Sequence, residues 1–488
     1  MSVIKRRKKQ WMDLLFWSIL LVQTFTSPLL SFAAEAEKRP NILFIIADDM
    51  NDELGFFGDK KAKSPHLDQL ASRSVVFENA HCQAPICGPS RNSFLTGKYP
   101  HHTGLYGLDP LFRDVPKWKN LKALPEFFKE NGYSSDGVGK IYHTTPDPKS
   151  FDKSYGWFGG FGPKPPKLIN LDPKLPVTPM YDWGPYLEDS ETSDYKVAET
   201  VIGLIQEKSK SNKPFFIAAG FFRPHCPTYA PQRWFDLHPK ESIPDSMDQS
   251  DDMKDIPTYG QDLVNYKENQ KFSKWLLQEP GRSSSYLQAY RACVSCMDFN
   301  VGRVLEALKA SGEFDNTIIV FCSDHGVQNG SKNLWYKRTL WEKSTRVPFI
   351  IKPASKSAEG RIKAPVGLID LYPTLCDLTG FPAPDGLDGK SLIGLIEGKD
   401  DGKKRSPVLT GFGPGNFSLR DERWRYIRYL DGAQELYDHH SDPNETKNLA
   451  NNPEFKPILD SFSSQVPVVS EPFVEGTKGL GSSAFPGM

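Results

Sequence analysis

The chain has 488 residues, with 60 Lys and Arg balanced by 60 Asp and Glu, and its length suits one large α/β domain with a smaller companion. Balanced charge excludes bulk attraction to nucleic acid or another polyanion, so an anionic ligand must be held by a local cluster of cations. Seven cysteines are too few for a disulfide-stapled scaffold, and their odd count leaves one over, for which Cys87 is the natural choice.

The first 36 residues read as a secretory signal peptide. Lys5, Arg6, Arg7, Lys8 and Lys9 make a basic n-region, residues 14–22 are mostly apolar, and Ala34-Glu35-Ala36 offers a small-residue cleavage site. Asp13, Ser18, Gln23 and Thr24 interrupt the apolar run and leave it short for a bilayer span. The expectation is export to the periplasm or medium (to the lysosome only in a eukaryotic host), with no stable membrane span after cleavage. Cleavage removes five basic and two acidic side chains, and the mature chain carries a charge near −3.

Residues 41–47 (NILFIIA) form a continuous apolar run ending in Asp48-Asp49, the pattern of a strand buried on both faces. Residues 214–219 and 317–322 repeat it, followed by Arg223-Pro224-His225 and by Ser323-Asp324-His325-Gly326. Ligands of open α/β sheets bind outside the carboxyl ends of the strands, so these three polar endings can converge. Helices are predicted over 121–131, 193–208 and 284–311, the last with Leu287, Tyr290, Val294, Val301, Leu305 and Leu308 on one stripe. Strands alternating with helices predict a mainly parallel sheet.

Residues 146–186 and 239–283 read as excursions over this scaffold. The run 398–405 (GKDDGKKR) marks a boundary between a large domain, 37–400, and a C-terminal subdomain, 401–488, in which 424–430 and 435–437 read as strands of a small sheet. The tail after about Pro467 reads as loosely structured. Cys293 and Cys296, three apart in an amphipathic stretch with no second pair nearby, belong to a helix core or a structural bridge rather than a metal site.

Asp48, Asp49 and Asp324 offer hard oxygen ligands for a divalent cation, with Ca²⁺ the natural choice outside the cell, although acidic residues also simply cap strands and turns. His325 alone is a weaker ligand for such an ion. Pro89 suits the first position of a helix starting after Cys87, which would leave unpaired N–H groups and a positive dipole end there. Arg91 lies four residues from Cys87, and Lys140 and His143 share the segment Val138-Gly139-Lys140-Ile141-Tyr142-His143, whose spacing suits a strand-to-turn exit with both heads directed into one pocket. Singly, each of these cations is ordinary surface chemistry.

Together these residues resemble the type I, formylglycine-dependent sulfatase family, in its branch around iduronate-2-sulfatase and bacterial relatives. Cys87-Gly88-Pro89-Ser90-Arg91 matches the C-x-P-S-R pattern whose cysteine is oxidised to formylglycine, and Ser93-Phe94-Leu95-Thr96-Gly97 extends the match. Further likeness lies in Pro40 to Asp49, Phe128 to Tyr133, Gly139 to His143, Arg223-Pro224-His225, Ser323 to Gly326, and Glu435-Leu436-Tyr437-Asp438 with Asp442-Pro443. The resemblance implies an alkaline-phosphatase-like α/β sandwich with a smaller C-terminal antiparallel sheet, and hydrolysis of O-sulfate from a sulfated carbohydrate.

By the same resemblance Asp48, Asp49, Asp324, His325 and the modified Cys87 hold one Ca²⁺, and Arg91 orients the formylglycine. Lys140, His225 and Lys337 contact the sulfate, His225 or Lys337 protonates the departing alcohol, and His143 is the base that releases sulfate. A hydrated aldehyde at position 87 uses one hydroxyl to attack sulfur and the other to expel sulfate. Maturation implies a formylglycine-generating enzyme as partner.

Where relatives carry Trp and then a Leu-Gly-Glu segment after Asp-His-Gly, this chain has Val327-Gln328-Asn329-Gly330-Ser331, so an iduronate preference does not carry over. The aromatic run 155–161 reads equally as a sugar-stacking platform or as a loop pinned by its own packing. Two other functions fit the motifs: a phosphonate monoester or phosphodiester hydrolase of the same superfamily, and a catalytically silent glycan-binding relative.

Overall fold

Eight strands build the central sheet: β1 (Asn41–Asp48), β2 (Val75–Phe77), β3 (Ser134–Gly139), β4 (Lys153–Ser154), β5 (Phe215–Pro224), β6 (Thr317–Ser323), β7 (Phe349–Lys352) and β8 (Gly360–Ile362). They lie in the order β8-β2-β7-β6-β1-β5-β3-β4, in a computed structural model that describes residues 38–246, 250–264, 267–354, 358–480 and 484–486. The expected signal peptide falls outside the described residues. Strand β1 is parallel to β5 and β6, and β3 to β5 and β4, while β7 runs antiparallel to both its neighbours.

Side chains of a strand alternate between faces, and here both faces are covered. Leu43, Ile45, Ile217 and Ile319 point to one core, packed by Val197 and Val201 of a helix at Ser193–Lys208 and by Val294 and Val301 of a 29-residue helix at Arg282–Ala310. Phe44, Ile46, Phe216 and Val320 point to the other, with Phe128 of Leu124–Glu130 and Leu375 of Leu371–Thr379. That double cover is why the central strands read as unbroken apolar runs.

The helix predicted from 121 begins at Leu124, because Pro125 has no N–H to give an earlier turn. The C-terminal sheet is antiparallel in the order β9 (Val408–Gly411), β10 (Phe417–Arg420), β11 (Trp424–Arg428) and β12 (Gln434–Asp438), and it has its own core with Leu459 and Phe462 of a helix at Lys456–Ser463. The excursion 239–283 contains helices at Thr258–Val264 and Lys267–Leu277.

The tail is not loose. Glu471 N–H bonds the His101 carbonyl at 2.8 Å, Val474 N–H bonds the Gly104 carbonyl at 3.2 Å, and Leu480 and Phe485 are buried among Ile86, Tyr336 and Phe412. A few apolar anchors without periodicity hold it, which is why composition alone misread it. All seven cysteines are free, and Cys293 and Cys296 are buried in the long helix, as the core reading required. Among the described residues no helix is long and apolar enough to cross a membrane.

Candidate active site

Sheet register sets the site. Ala47 pairs with Ser323, so Asp48-Asp49 and Asp324-His325 leave adjacent strands at one edge. The β1–β5 register is regular to Ile46–Gly220 and then jumps to Asp48–Pro224; this irregularity lengthens β5 and brings His225 beside Asp49. On the far side of β5, Gly139 pairs with Gly220. A Cβ at Gly220 would collide with the Lys140 backbone, so glycine there permits the close approach that brings Lys140 inward.

The fourth element is the helix Cys87–Thr96, buried along its whole length. Cys87 itself occupies the first helical position, with Ile86 as N-cap, and Pro89 stands two residues later than the sequence suggested. The helix still starts at the cysteine, so its unpaired N–H groups gather there. Ser90 Oγ donates to the Asp324 carbonyl and locks the helix to the β6 ending.

Three groups converge on the Cys87 sulfur. Asp48 Oδ1 is 3.4 Å from Sγ, His325 Nε2 is 3.2 Å away and Lys337 Nζ is 3.2 Å away. Lys337 Nζ also meets Asp49 Oδ1 at 2.6 Å, and Lys140 Nζ pairs with Asp48 Oδ2. Arg91 Nε donates to Asp324 Oδ2 at 2.8 Å while its Nη1 donates to the carbonyls of Lys140 and Ile141, the latter at 3.1 Å. His225 Nε2 lies 3.7 Å from Asp49 Oδ2. Nine of the ten residues expected at the site are joined in one cluster by these contacts; the tenth, His143, lies near enough to help lower the Cys87 thiol, and its Nδ1 is buried with no hydrogen-bond partner among the described residues.

Electrostatics follow from this crowding. Burial would raise the Cys87 thiol, but Lys140, Lys337 and His325 outweigh it and hold it well below the ordinary thiol range. Burial and Cys87 also work to raise Asp48, yet Lys140, His225 and Arg91 hold it below the usual carboxylate range. Asp324 is pushed up to about 6 by burial against Arg91 and His325. Burial disfavours charge on Lys337 and His225, but Asp49 raises both well above their ordinary values.

Several supporting contacts were not foreseen from the sequence. Asp49 has φ of 65°, a left-handed conformation that aspartate tolerates better than most residues; Asp324 Oδ1 accepts its N–H at 3.3 Å, and Tyr290 donates to its carbonyl at 3.1 Å. Ser323 Oγ accepts from Met50 N–H at 2.9 Å. Phe161 stacks on His225 with centroids 4.4 Å apart, and Trp157 and Phe161 both pack edge-on to Phe222. The aromatic run is thus pinned by packing, and through Phe161 it braces a site histidine.

The donor set fits a hard divalent ion. Asp48, Cys87, Asp324 and His325 place ligand atoms within 4.8 Å of one another, as do Asp48, Asp49, Cys87 and His225. Three carboxylates dominate, which suits oxygen-seeking cations, and His325 has its Nδ1 against the Gly326 carbonyl at 2.9 Å, so Nε2 faces the cluster. A third grouping, Glu342, His439 and Glu445, is already neutralised by Arg425, whose guanidinium pairs with both glutamates.

A mainly parallel sheet that gathers carboxylates, buried cations and a helix-start cysteine at its carboxyl edge suits a hydrolase of anionic esters. Comparison with known proteins names the kind. The chain belongs to the sulfatase family: the family model "Sulfatase" matches residues 40–381, and the model "N-sulphoglucosamine sulphohydrolase, C-terminal" matches residues 330–471. A "Sulfatase" of Formosa agariphila is 39% identical, covering 88% of this chain and 86% of that protein. "Iduronate 2-sulfatase" of Mus musculus is 33% identical, covering 77% and 75%. The solved structure of a 2-O GAG sulfatase superposes with a TM-score of 0.69 at 24% identity, covering 88% of this chain and 91% of that one. The protein is a sulfuric ester hydrolase with the expected alkaline-phosphatase-like fold.

Proposed function

We propose that the chain is an exported enzyme that removes sulfate esters from sulfated carbohydrate, with Cys87 matured to formylglycine and Ca²⁺ held by Asp48, Asp49, Asp324, His325 and the modified Cys87. The observation that carries this reading is the convergence of a carboxylate, an imidazole and an ammonium on one sulfur, each within 3.4 Å. In this structure the thiol stands where the modified residue would be. Formylglycine would supply a hydrated aldehyde as nucleophile toward sulfur, and Ca²⁺ would supply positive charge for the sulfate oxygens.

The remaining work belongs to the chain's own side chains. Arg91, fixed between Asp324 and the Ile141 carbonyl, orients residue 87. Lys140 and Lys337 offset the ester's negative charge, which otherwise repels a nucleophile. His225 or Lys337 donates the proton that lets the alcohol leave, and His143 takes a proton from residue 87 as sulfate is released. An exported host compartment and a maturation enzyme that oxidises Cys87 complete the reading. We assign residues 37–400 to the catalytic part and 401–488 to a C-terminal subdomain, a division supported by the separate core of the four-stranded sheet.

Carbohydrate as substrate is supported by the sugar specificities named for relatives. The test is sulfate release by Ca²⁺-loaded protein, with formylglycine verified by mass, from sulfated uronates, sulfated hexosamines and algal polysaccharides, with Cys87→Ala and a phosphonate ester as controls. Release from one sugar class, abolished in Cys87→Ala, is expected. Turnover of the phosphonate ester with silence on every sulfate would refute the proposal.

A further inference from the structure

A cavity of about 200 Å³ opens beside the reacting centre, and Asp49, Lys337, Arg338, Trp335, Tyr181 and Glu268 are among its walls. Sites for drug-sized ligands span roughly 300–1,000 Å³, so this one suits a single sugar ring with its substituents. Its lining mixes aromatic faces with a few polar groups, the usual make-up of a small-ligand site.

Arg338 is the informative wall residue. It directly follows Lys337, whose Nζ touches the Cys87 sulfur, and it adopts φ of 73°, a region that disfavours any residue with a Cβ and marks functional positions. Its backbone N–H bonds the Pro85 carbonyl at 3.0 Å, and its Nη2 lies 3.5 Å from the Gly479 carbonyl in the C-terminal tail. Tail and turn together therefore set where the guanidinium sits. Its charge is felt at the hydroxyls of Tyr181 and Tyr336 on the same wall.

Trp335 is the buried aromatic part of the same wall. It is 1% exposed, and its indole N–H has no hydrogen-bond partner among the described residues. Glu268, also on the wall, accepts from hydroxyls and repels an anion, which directs a second charge toward Arg338.

We infer that Arg338 binds a second anionic group, a carboxylate or a further sulfate, on the same sugar that carries the sulfate ester to be cleaved. The inference rests on the sulfatase reading above. A guanidinium presents paired N–H donors that match an oxyanion's geometry, and a lysine does not. Lys337 and Lys140 serve the ester itself, and Arg338 is the next cation along the wall.

Arg338→Gly keeps the left-handed backbone while removing the guanidinium, and Arg338→Lys keeps charge without the fork. The assay is kcat and KM on an aryl sulfate, a hexuronate 2-sulfate and a disulfated hexosamine. Arg338→Gly is expected to lose about tenfold to hundredfold in kcat/KM on one doubly anionic sugar, mainly through KM, with a far smaller loss on the aryl sulfate; Arg338→Lys should recover part of it. Whichever sugar shows the loss identifies the group. Equal loss on all three substrates, or none on either sugar, would overturn the inference. Calorimetric binding of both sugars to Cys87→Ala protein gives a readout independent of maturation. There Arg338→Gly should weaken one sugar by the same factor, and unchanged affinity, or no binding of either sugar to the Arg338-containing protein, also overturns it. Wild-type silence on every sulfate would instead refute the sulfatase reading, and the binding arm would still decide Arg338.

Discussion

Asp194→Asn tests whether the site depends on a carboxylate that touches no reacting atom. Asp194, 1% exposed at the start of the helix Ser193–Lys208, accepts from Phe222 N–H at 2.7 Å and from Arg223 N–H at 3.2 Å. Both donors lie where β5 departs from register with β1, and Arg223 Nη1 in turn holds the His225 carbonyl at 3.0 Å. Asparagine preserves size and one acceptor but turns an NH₂ toward a backbone N–H. That loses a charge-assisted hydrogen bond of about 1.5–3 kcal/mol and orphans a buried donor at roughly 1–3 kcal/mol. Burial pushes the Asp194 carboxyl up, against the two N–H donors and Arg223, so removing the carboxylate gives some of this back. A net loss of about 2–3 kcal/mol in urea unfolding is expected. Misplacing a catalytic group by about 1 Å costs on the order of a hundredfold, so kcat per folded molecule should fall about tenfold to hundredfold on an aryl sulfate. Full kcat in the folded variant would refute the argument that Asp194 positions His225.

Three further perturbations separate stability from chemistry. Burial pushes Asp298 up to about 7 against the N–H groups of Leu67 and His66, so its contribution is full below the unfolded value near 3.8 and is lost as pH rises through 7. Asp298→Asn should remove that slope, worth of order a few kcal/mol, and an unchanged pH profile of urea midpoints would refute it. Chelation of Ca²⁺ should abolish turnover and lower the unfolding temperature, with about 2.7 kcal/mol regained at a hundredfold excess over Kd; calorimetry with no shift would exclude a metal at Asp48, Asp49 and Asp324. Arg425→Met should cost about 3–5 kcal/mol, because the buried guanidinium pairs with Glu342 and Glu445 and donates to the Leu340 carbonyl at 2.9 Å. A loss under about 1 kcal/mol would mean that Arg420 and His439 suffice.

The readable part of the fold was the part under the strongest solvent constraint. Strands β1 and β6 are buried on both faces, so their composition had to be apolar, and the first charges after them mark the sheet edge where the cluster forms. Of strand β3 only the exit, the strand-to-turn segment from Val138 to His143, was legible, because SSDGVG is neither apolar nor alternating. It is a strand because β5 pairs with it, and its small residues admit close packing, with Phe151 against Gly137. Strands β9 and β10 were missed for a related reason: Gly411 and the turn at 412–416 break the pattern between them.

At the site, the ten legible residues are those whose own side chains carry charge or nucleophilicity. The illegible ones act on main-chain groups distant in sequence: Asp194 on Phe222, Ser323 on Met50, Tyr290 on the Asp49 carbonyl. No local spacing encodes such a contact, since any Asp, Ser or Tyr brought to that place by the fold would serve. Gly220 is the extreme case, because its contribution is the absence of a Cβ beside Lys140. A relative can therefore keep all ten charged or reactive residues and still lose the geometry that makes them a site.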